Sequence, residues 1–349
     1  MSPLSAPPLS ARLAASRSAG LRHHRRLLTL LSLLLLAAAA LTLCLGQSVT
    51  PPADVLRVLA GQSVPGASFT VGTLRLPRLL LAAMAGMAFG LGGASVQTLL
   101  RNPLASPDII GITSGAATAA VFGIVVLGLG GVPVQLLAVA AGLGVAALVY
   151  LLSWRGGVAG ARLILVGIGL SAMLQSATAY ILLKAPAWSL QEAMRWLTGS
   201  VNGAQLAQAL PLLLALLAFG ALLLSRSRDL EAMRLGDDAA AALGVRLGRV
   251  RLLVTLGAVG LISTATALTG PISFVAFLAG PIAARICAPG RPVLLPAALV
   301  GALLVVLGDY AGQFLLPARY PVGVVTGVLG APYLIYLITR VNRTGGGLA

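Results

Sequence analysis

The fold is decided by the stretch Asp229-Leu-Glu-Ala-Met-Arg-Leu-Gly-Asp-Asp-Ala-Ala-Ala-Ala-Leu243, a charged, helix-like run between two long apolar segments. It lies inside a polar block, residues 226–251, that holds six of the 24 basic and four of the eight acidic residues. The rest of the chain is strongly apolar: 58% of all residues are hydrophobic, 9% are charged, and the mean hydropathy is +0.99. A soluble domain of 349 residues does not have this composition. The sequence therefore predicts an all-α protein that crosses a lipid bilayer many times.

Ten apolar segments extend outward from the polar block in both directions, and most are close to the ~20 residues that a bilayer core requires. They are Leu27–Gly46, Leu79–Leu100, Ile112–Gly130, Val132–Leu152, Leu163–Leu183, Leu206–Leu224, Leu252–Leu268, Ile272–Ile286, Val293–Leu316 and Pro321–Ile338. We predict about ten transmembrane helices over residues 27–342. Residues 1–26, rich in Ser, Ala, Pro and Arg, are expected to form a disordered basic arm, and residues 343–349 a short tail.

The basic residues indicate which side of the membrane each loop faces. With ten spans, 18 of the 24 basic residues lie on the side of the two termini and six on the other side. The positive-inside rule then predicts that both termini and the polar block 226–251 are cytoplasmic. The net charge of +16 is explained by this topology. A nucleic-acid-binding protein would instead concentrate its arginines on one soluble surface, so we predict no nucleic-acid partner.

Several catalytic chemistries are excluded by motifs that the sequence lacks. It has no Gly-x-x-x-x-Gly-Lys-Ser/Thr loop, and its only lysine is Lys184, so it cannot hydrolyse ATP by the P-loop route. It also has no His-Glu-x-x-His helix and no Gly-x-Ser-x-Gly elbow. We therefore predict a protein that is not an enzyme, with no catalytic residues, no metal site and no cofactor of its own.

Ion-coupled transport is an alternative, because such carriers use ionisable residues inside the bilayer. The one good candidate is Asp309, near the outer end of the ninth apolar segment. It could serve as a proton relay. The interpretation we favour is an interfacial carboxylate bonded to a neighbouring helix.

Small residues at helical spacing predict close helix packing at two places. Gly86-Met-Ala-Phe-Gly90 and Gly323-Val-Val-Thr-Gly327 both have the small-xxx-small pattern that lets helix backbones approach each other.

Five blocks of this sequence resemble the FecCD-type permeases of bacterial ABC importers, which carry ferric siderophores, haem or cobalamin. The blocks are Arg75-Leu-Pro-Arg78, Gly93-Ala-Ser-Val-Gln-Thr-Leu-Leu-Arg-Asn-Pro-Leu-Ala-Ser-Pro-Asp-Ile-Ile-Gly-Ile-Thr-Ser-Gly115, Leu235-Gly-Asp-Asp-Ala-Ala-Ala-Ala-Leu-Gly-Val245, Ala267-Leu-Thr-Gly-Pro-Ile-Ser-Phe-Val275 and Pro321-Val-Gly-Val-Val-Thr-Gly-Val-Leu-Gly-Ala-Pro332. The resemblance covers residues 27–342. It implies the permease fold of a type II ABC importer in the bacterial inner membrane.

The resemblance also implies partners and sites. Two permease subunits, identical or different, would form the path. Two separate P-loop ATPase subunits would supply the energy from ATP and magnesium, and a substrate-binding protein would deliver the cargo. Within the polar block, the run Asp229–Val245 matches the short cytoplasmic helices that dock on the ATPase. Its expected coupling residues are Asp229, Leu230, Met233, Gly236, Asp237, Asp238, Leu243 and Gly244, with Leu230, Met233 and Leu243 as an apolar anchor.

Two arginines match positions at which the family contacts acidic residues of its binding protein, and a third is expected to stand in for a basic residue that this sequence lacks at its usual position. Arg75 and Arg78 correspond to a pair of arginines, although arginines at a helix start can also reach lipid headgroups. Gln313 stands where relatives often have a further basic residue, and we expect Arg319 to replace it. The loop Gly156–Arg162 matches the place where the family narrows its path on the cytoplasmic side, so a gate is expected at Gly160 and Ala161, although these small residues also fit a flexible turn. The sequence Ser-Phe-Val-Ala-Phe at residues 273–277 resembles the ferric-siderophore branch of the family and favours a ferric siderophore as cargo, with haem or cobalamin as alternatives.

Overall fold

The computed structural model describes residues 9–106, 111–153 and 160–343. Within these ranges every regular element is helical and there is no β-strand, as predicted for the fold class. The α-helices are α1 Leu9–Cys44, α2 Pro52–Leu59, α3 Leu76–Leu99, α4 Ile112–Val125, α5 Val132–Ser153, α6 Gly160–Lys184, α7 Ala187–Leu197, α8 Leu206–Ala215, α9 Ala221–Ser225, α10 Ser227–Met233, α11 Asp237–Ala242, α12 Leu247–Thr269, α13 Val275–Ile286, α14 Leu294–Phe314 and α15 Val322–Arg343. Two π-helical segments, Ser68–Arg75 and Leu216–Gly220, continue directly into α3 and join α8 to α9.

Seven helical stretches in the described residues are long and apolar enough to cross a membrane. They are Arg17–Cys44, Ser68–Leu99, Val132–Ser153, Arg162–Lys184, Leu206–Ser225, Leu247–Thr269 and Leu294–Phe314. Three shorter apolar helices, Ile112–Val125, Val275–Ile286 and Val322–Leu337, coincide with the remaining predicted segments. The count of ten spans and the cytoplasmic position of both termini stay predictions.

Helix α3 forms the centre of the bundle, packed against α14, α13 and α12. Its contact with α14 depends on glycine: a Cβ added at Gly86 would collide with the carbonyl oxygen of Gly301, and one at Gly90 with that of Ala297. Gly301 in turn faces the carbonyl oxygen of Gly86. The close backbone approach predicted for Gly86 and Gly90 is therefore present between α3 and α14.

The second glycine pair behaves differently from its prediction. A Cβ at Gly323 would collide with the carbonyl oxygen of Thr198, so this glycine packs against the turn after α7 and not against a helix. The nearest atom to a Cβ at Gly327 would be the Ser273 Cβ at 4.0 Å, an ordinary contact. The prediction of helix packing is wrong for Gly323, which lies in the first turn of α15, where the neighbouring backbone is a loop. For Gly327 it stays a prediction.

The N-terminal arm also differs from its prediction. Residues 9–26 are helical and continuous with the apolar part of α1, whereas the sequence suggested disorder. Two contacts hold this extension against the end of α13 and the loop that follows it. Arg291 Nη2 donates to the Arg17 carbonyl oxygen (2.6 Å), and His23 Nε2 lies 3.1 Å from the Ile286 carbonyl oxygen. Alanine and arginine favour helix, and composition alone cannot reveal such contacts.

The bundle has two polar ends, joined by α3. The docking end is defined by Arg75, Arg78, Asn202 and Asp309, near α2 and α7, and the coupling end by α10 and α11. Helix α3 has 24 residues and is therefore about 36 Å long at ~1.5 Å per residue. The first turn of α3 lies at the docking end, and the residues that follow the last turn of α3 lie at the coupling end.

Candidate functional site

The docking end is organised by a bidentate ion pair between α3 and α14. Arg78 Nε donates to Asp309 Oδ2 at 2.5 Å, and Arg78 Nη2 donates to Asp309 Oδ1 at 2.7 Å. The remaining terminal nitrogen, Nη1, donates to Asn202 Oδ1 at 2.9 Å. Asp309 is only 7% exposed, and a carboxylate so buried needs a charged, hydrogen-bonding partner. The interpretation of Asp309 as a carboxylate bonded to a neighbouring helix is confirmed.

Arg75 is also used within the chain. Its Nη1 donates to the Leu43 carbonyl oxygen at 2.7 Å and its Nη2 to the Ser48 carbonyl oxygen at 2.6 Å. These bonds fix the connection between α1 and α2 to the π-helical turn that precedes α3. A Cβ at Gly46 would lie 2.8 Å from Arg75 Nη2, so the guanidinium fits closely against this connection.

The three arginines predicted to meet a binding protein line one cavity of about 420 Å³. Arg75 and Arg78 enter it from the start of α3, and Arg319 from the loop after α14. Gln313 lines the same cavity, as expected if Arg319 replaces a basic residue at that position. Arg319 is exposed and forms no ion pair with any described residue. The structure thus brings together cations that are far apart in sequence, and their docking role stays a prediction.

At the coupling end, two of the predicted anchor residues are inside the protein. Leu230 and Met233 are 1% and 2% exposed and belong to the main hydrophobic core. Their assignment to an apolar anchor for the ATPase is wrong, because they attach α10 to α3 and α12 and are unavailable to a partner. Leu243 is 66% exposed and remains a candidate contact.

The turns around α11 depend on two of the predicted glycines. Gly236, before α11, has φ of 108°, and Gly244, after it, has φ of 87°. Both values lie in the region that favours glycine, so these residues shape the turns, and their contact with an ATPase subunit stays a prediction. Asp229 Oδ2 lies 3.5 Å from Arg226 Nη1. Burial raises the pKa of Glu231, and the neighbouring Arg234 opposes this shift.

The adjacent acids of α11 have different surroundings. Asp237 Oδ1 lies 3.2 Å from Arg101 Nη2, and Asp237 Oδ2 lies 2.6 Å from Arg251 Nη2. Asp238 is exposed and has no ion pair among the residues that the structure describes. Sequence reasoning missed Arg101, Arg251 and Asn202. Arg101 lies in one of the recognised motifs, whereas nothing in the sequence points to Asn202.

The predicted gate is only partly described. Gly160 begins α6, residues 154–159 lie outside the described residues, and the Gly160–Ala161 gate stays a prediction. The described residues contain no group of three or more His, Cys, Asp or Glu side chains placed to hold a metal ion.

Comparison with known proteins gives consistent matches over most of the chain. The pattern of the FecCD transport family matches residues 33–340. The ferric enterobactin transport system permease protein FepG of Escherichia coli (strain K12) is 42% identical over 295 residues, covering 83% of this chain and 88% of the relative. The achromobactin transport system permease protein CbrC of Dickeya dadantii (strain 3937) is 40% identical over 303 residues, covering 86% of this chain and 87% of the relative.

A solved structure is also similar in fold. It is an inward-facing conformation of an ABC transporter assigned to the metal-chelate type, and it matches with a TM-score of 0.81 and 28% sequence identity. The match covers 90% of this chain and 99% of the other.

Proposed function

Because the chain belongs to the FecCD transport family, we propose that it is the permease subunit of an ABC importer for a ferric siderophore. The observation that carries this proposal is that relatives named for ferric enterobactin and achromobactin transport each match more than four fifths of this chain. It is a multi-pass protein of the bacterial inner membrane. Ten spans with both termini in the cytoplasm fit the distribution of its basic residues.

Separate ATPase subunits supply the energy in this proposal. The sequence has no P-loop, so hydrolysis requires two further subunits that carry one. The surface offered to them is α11 with its flanking residues, where Asp238 and the leucines Leu235 and Leu243 are exposed. Two exposed leucines beside a carboxylate provide both apolar area and charge for a contact.

A substrate-binding protein docks at the opposite end. The cavity that contains Arg75, Arg78 and Arg319 offers positive charge to acidic residues of such a partner. Arg319 has the most accessible charge of the three, since the other two are already hydrogen-bonded within the chain.

The path for the cargo is completed by a second permease subunit, either a copy of this chain or a paralogue. A cavity of about 430 Å³ between α4, α6 and the segment before α13 is lined by Ser114, Gln175, Thr178 and Ser273. Neutral polar side chains in a membrane-spanning bundle suit a path for a large hydrated chelate, because they offer hydrogen bonds without a fixed charge.

Uptake by spheroplasts that are resupplied with the substrate-binding protein tests the proposal, since it bypasses any outer-membrane step. A strain that lacks this gene is compared with its complemented parent, using radioiron-labelled ferric enterobactin, ferric achromobactin, labelled haem and labelled cobalamin. We expect uptake of a ferric siderophore that vanadate abolishes. Uptake that an uncoupler abolishes and vanadate leaves intact would instead identify an ion-coupled carrier, and uptake of haem or cobalamin alone would reassign the cargo.

A further inference from the structure

Helix α11 is held in place by very little apolar packing. It consists of two aspartates and four alanines, and only Ala240 among them is buried. Alanine side chains present little area, so burial alone fixes the orientation of this helix weakly. Its direct helix neighbours are α10 and α12.

Ion pairs with two other segments help to fix the orientation of α11, which apolar packing fixes only weakly. Asp237, the first residue of α11, contacts Arg101, two residues beyond α3, and Arg251, in the second turn of α12. One carboxylate oxygen faces each arginine. The three side chains, which we call the Asp237 joint, therefore connect α3, α11 and α12.

The Asp237 joint borders a cavity, so the link from α11 to α3 is not backed by continuous apolar packing. A cavity of about 600 Å³ lies between the end of α3, the α10–α11 turn and α13, and Arg101, Gly236 and Pro281 line it. The ion pair between Asp237 and Arg101, at the edge of this space, is a direct polar contact between α11 and the segment that follows α3.

The backbone at Arg101 supports the same conclusion. Its φ is 51°, in the left-handed region, at a position just after a helix where glycine is the usual residue. An arginine adopts this conformation at a cost that glycine avoids. A glycine at this position would adopt the same backbone conformation more easily, but it could not form the ion pair with Asp237.

We propose that Asp237 is a positioning residue: through Arg101 and Arg251 it orients α11, so that a displacement of α11 by docked ATPase subunits is passed to α3. This inference rests on the proposed function. It separates two aspartates that the sequence treated alike, with Asp238 facing the ATPase subunit and Asp237 facing the permease itself.

The test uses the whole complex of permease, ATPase subunits and binding protein in proteoliposomes, with the chelate that the wild-type complex imports. The variants are R101Q, D237N and R251Q. The control matched to R251Q is R249Q, which also removes one positive charge from α12. Arg249 is exposed and has no ion pair among the described residues. The readouts are co-elution of the ATPase subunits, ATP hydrolysed per chelate imported, and the melting temperature of the permease.

R101Q and D237N should raise the ATP hydrolysed per imported chelate at least about fivefold, the lower end of typical coupling effects, with co-elution unchanged. R251Q should act in the same direction, D237E should restore most of the wild-type ratio, and R249Q should match the wild type. D238N should instead weaken co-elution and leave the ratio unchanged at saturating ATPase subunit.

Three results would overturn the inference. One is a wild-type ratio in both R101Q and D237N. Another is weakened co-elution in D237N equal to that in D238N with no change in ratio, which would make Asp237 a surface contact. The third is a lower melting temperature with hydrolysis and import falling together, which would make the joint merely structural. Failure of the proposed function looks different, because the wild-type complex itself would then show no ATP-driven import.

Discussion

Replacing Arg78 by methionine tests the ion pair on which the docking end depends. Methionine keeps much of the length of the arginine and removes its charge and all three hydrogen bonds to Asp309 and Asn202. Asp309 is 7% exposed, so the change leaves a buried carboxylate without its counter-ion. Removing one partner of a buried pair costs about 3–5 kcal/mol, and we expect R78M to lower the free energy of unfolding by about that amount.

The double variant R78M/D309L separates the pair from the individual side chains. Because both charges are then absent, no uncompensated charge stays buried, and we expect it to recover at least about 2 kcal/mol relative to R78M. R319M is the control: it removes an arginine from the same cavity, and an exposed residue without an ion pair should change stability by less than about 0.5 kcal/mol.

The assay is unfolding of the purified permease in detergent micelles by a titrated denaturing detergent, followed by helical circular dichroism. A free energy of unfolding for R78M within about 1 kcal/mol of the wild-type value would refute the reasoning, because an exposed ion pair contributes no more than that. The reasoning is also refuted if the double variant is less stable than R78M, since the two charges would then not be coupled as the geometry indicates.

Three further predictions concern other parts of the molecule. G301A should destabilise the bundle by about 1–3 kcal/mol in the same assay, because its Cβ would meet the Gly86 backbone and force α3 and α14 apart; equal stability would contradict the packing. L230A should cost about 2–5 kcal/mol, since Leu230 is in the core, whereas L243A should leave stability unchanged and weaken capture of ATPase subunits in a pull-down. Burial raises the pKa of the Cys287 thiol from 9.0 to about 11. Because a thiol is protonated below its pKa, the fraction of Cys287 present as thiolate at pH 8 should be about 100-fold smaller in the folded protein than in the unfolded chain. Maleimide labelling in a Cys44→Ser background should be slower by that factor, and labelling as fast as in denaturant would contradict it.

The sequence predicted the helical class and the position of the apolar segments well, because these depend on composition and length. It also predicted close packing at Gly86 and Gly90, since the spacing of small residues is a local signal. The same spacing predicted the wrong neighbour for Gly323. A local pattern shows that a backbone can be approached, and tertiary structure decides what approaches it.

In the candidate sites, too, local sequence signals were predicted correctly and tertiary contacts were not. The charged block and the arginines could be found in the sequence because charge is rare in this chain. The direction in which each side chain points could not, because it depends on contacts between distant segments. Leu230 and Met233 were predicted to anchor the ATPase because they lie in a charged run, and only the fold places them against α3 and α12. The pairing of Arg78 with Asp309 and Asn202 likewise joins three separate parts of the chain.

The central claim is that this chain is a passive permease driven by ATPase subunits that contact α11. Import by proteoliposomes that contain the permease and the binding protein, with and without the ATPase subunits, tests it most directly. The account predicts that ferric siderophore accumulates only when both the ATPase subunits and ATP are present. Accumulation against a concentration gradient by the permease without any ATPase subunit would contradict it.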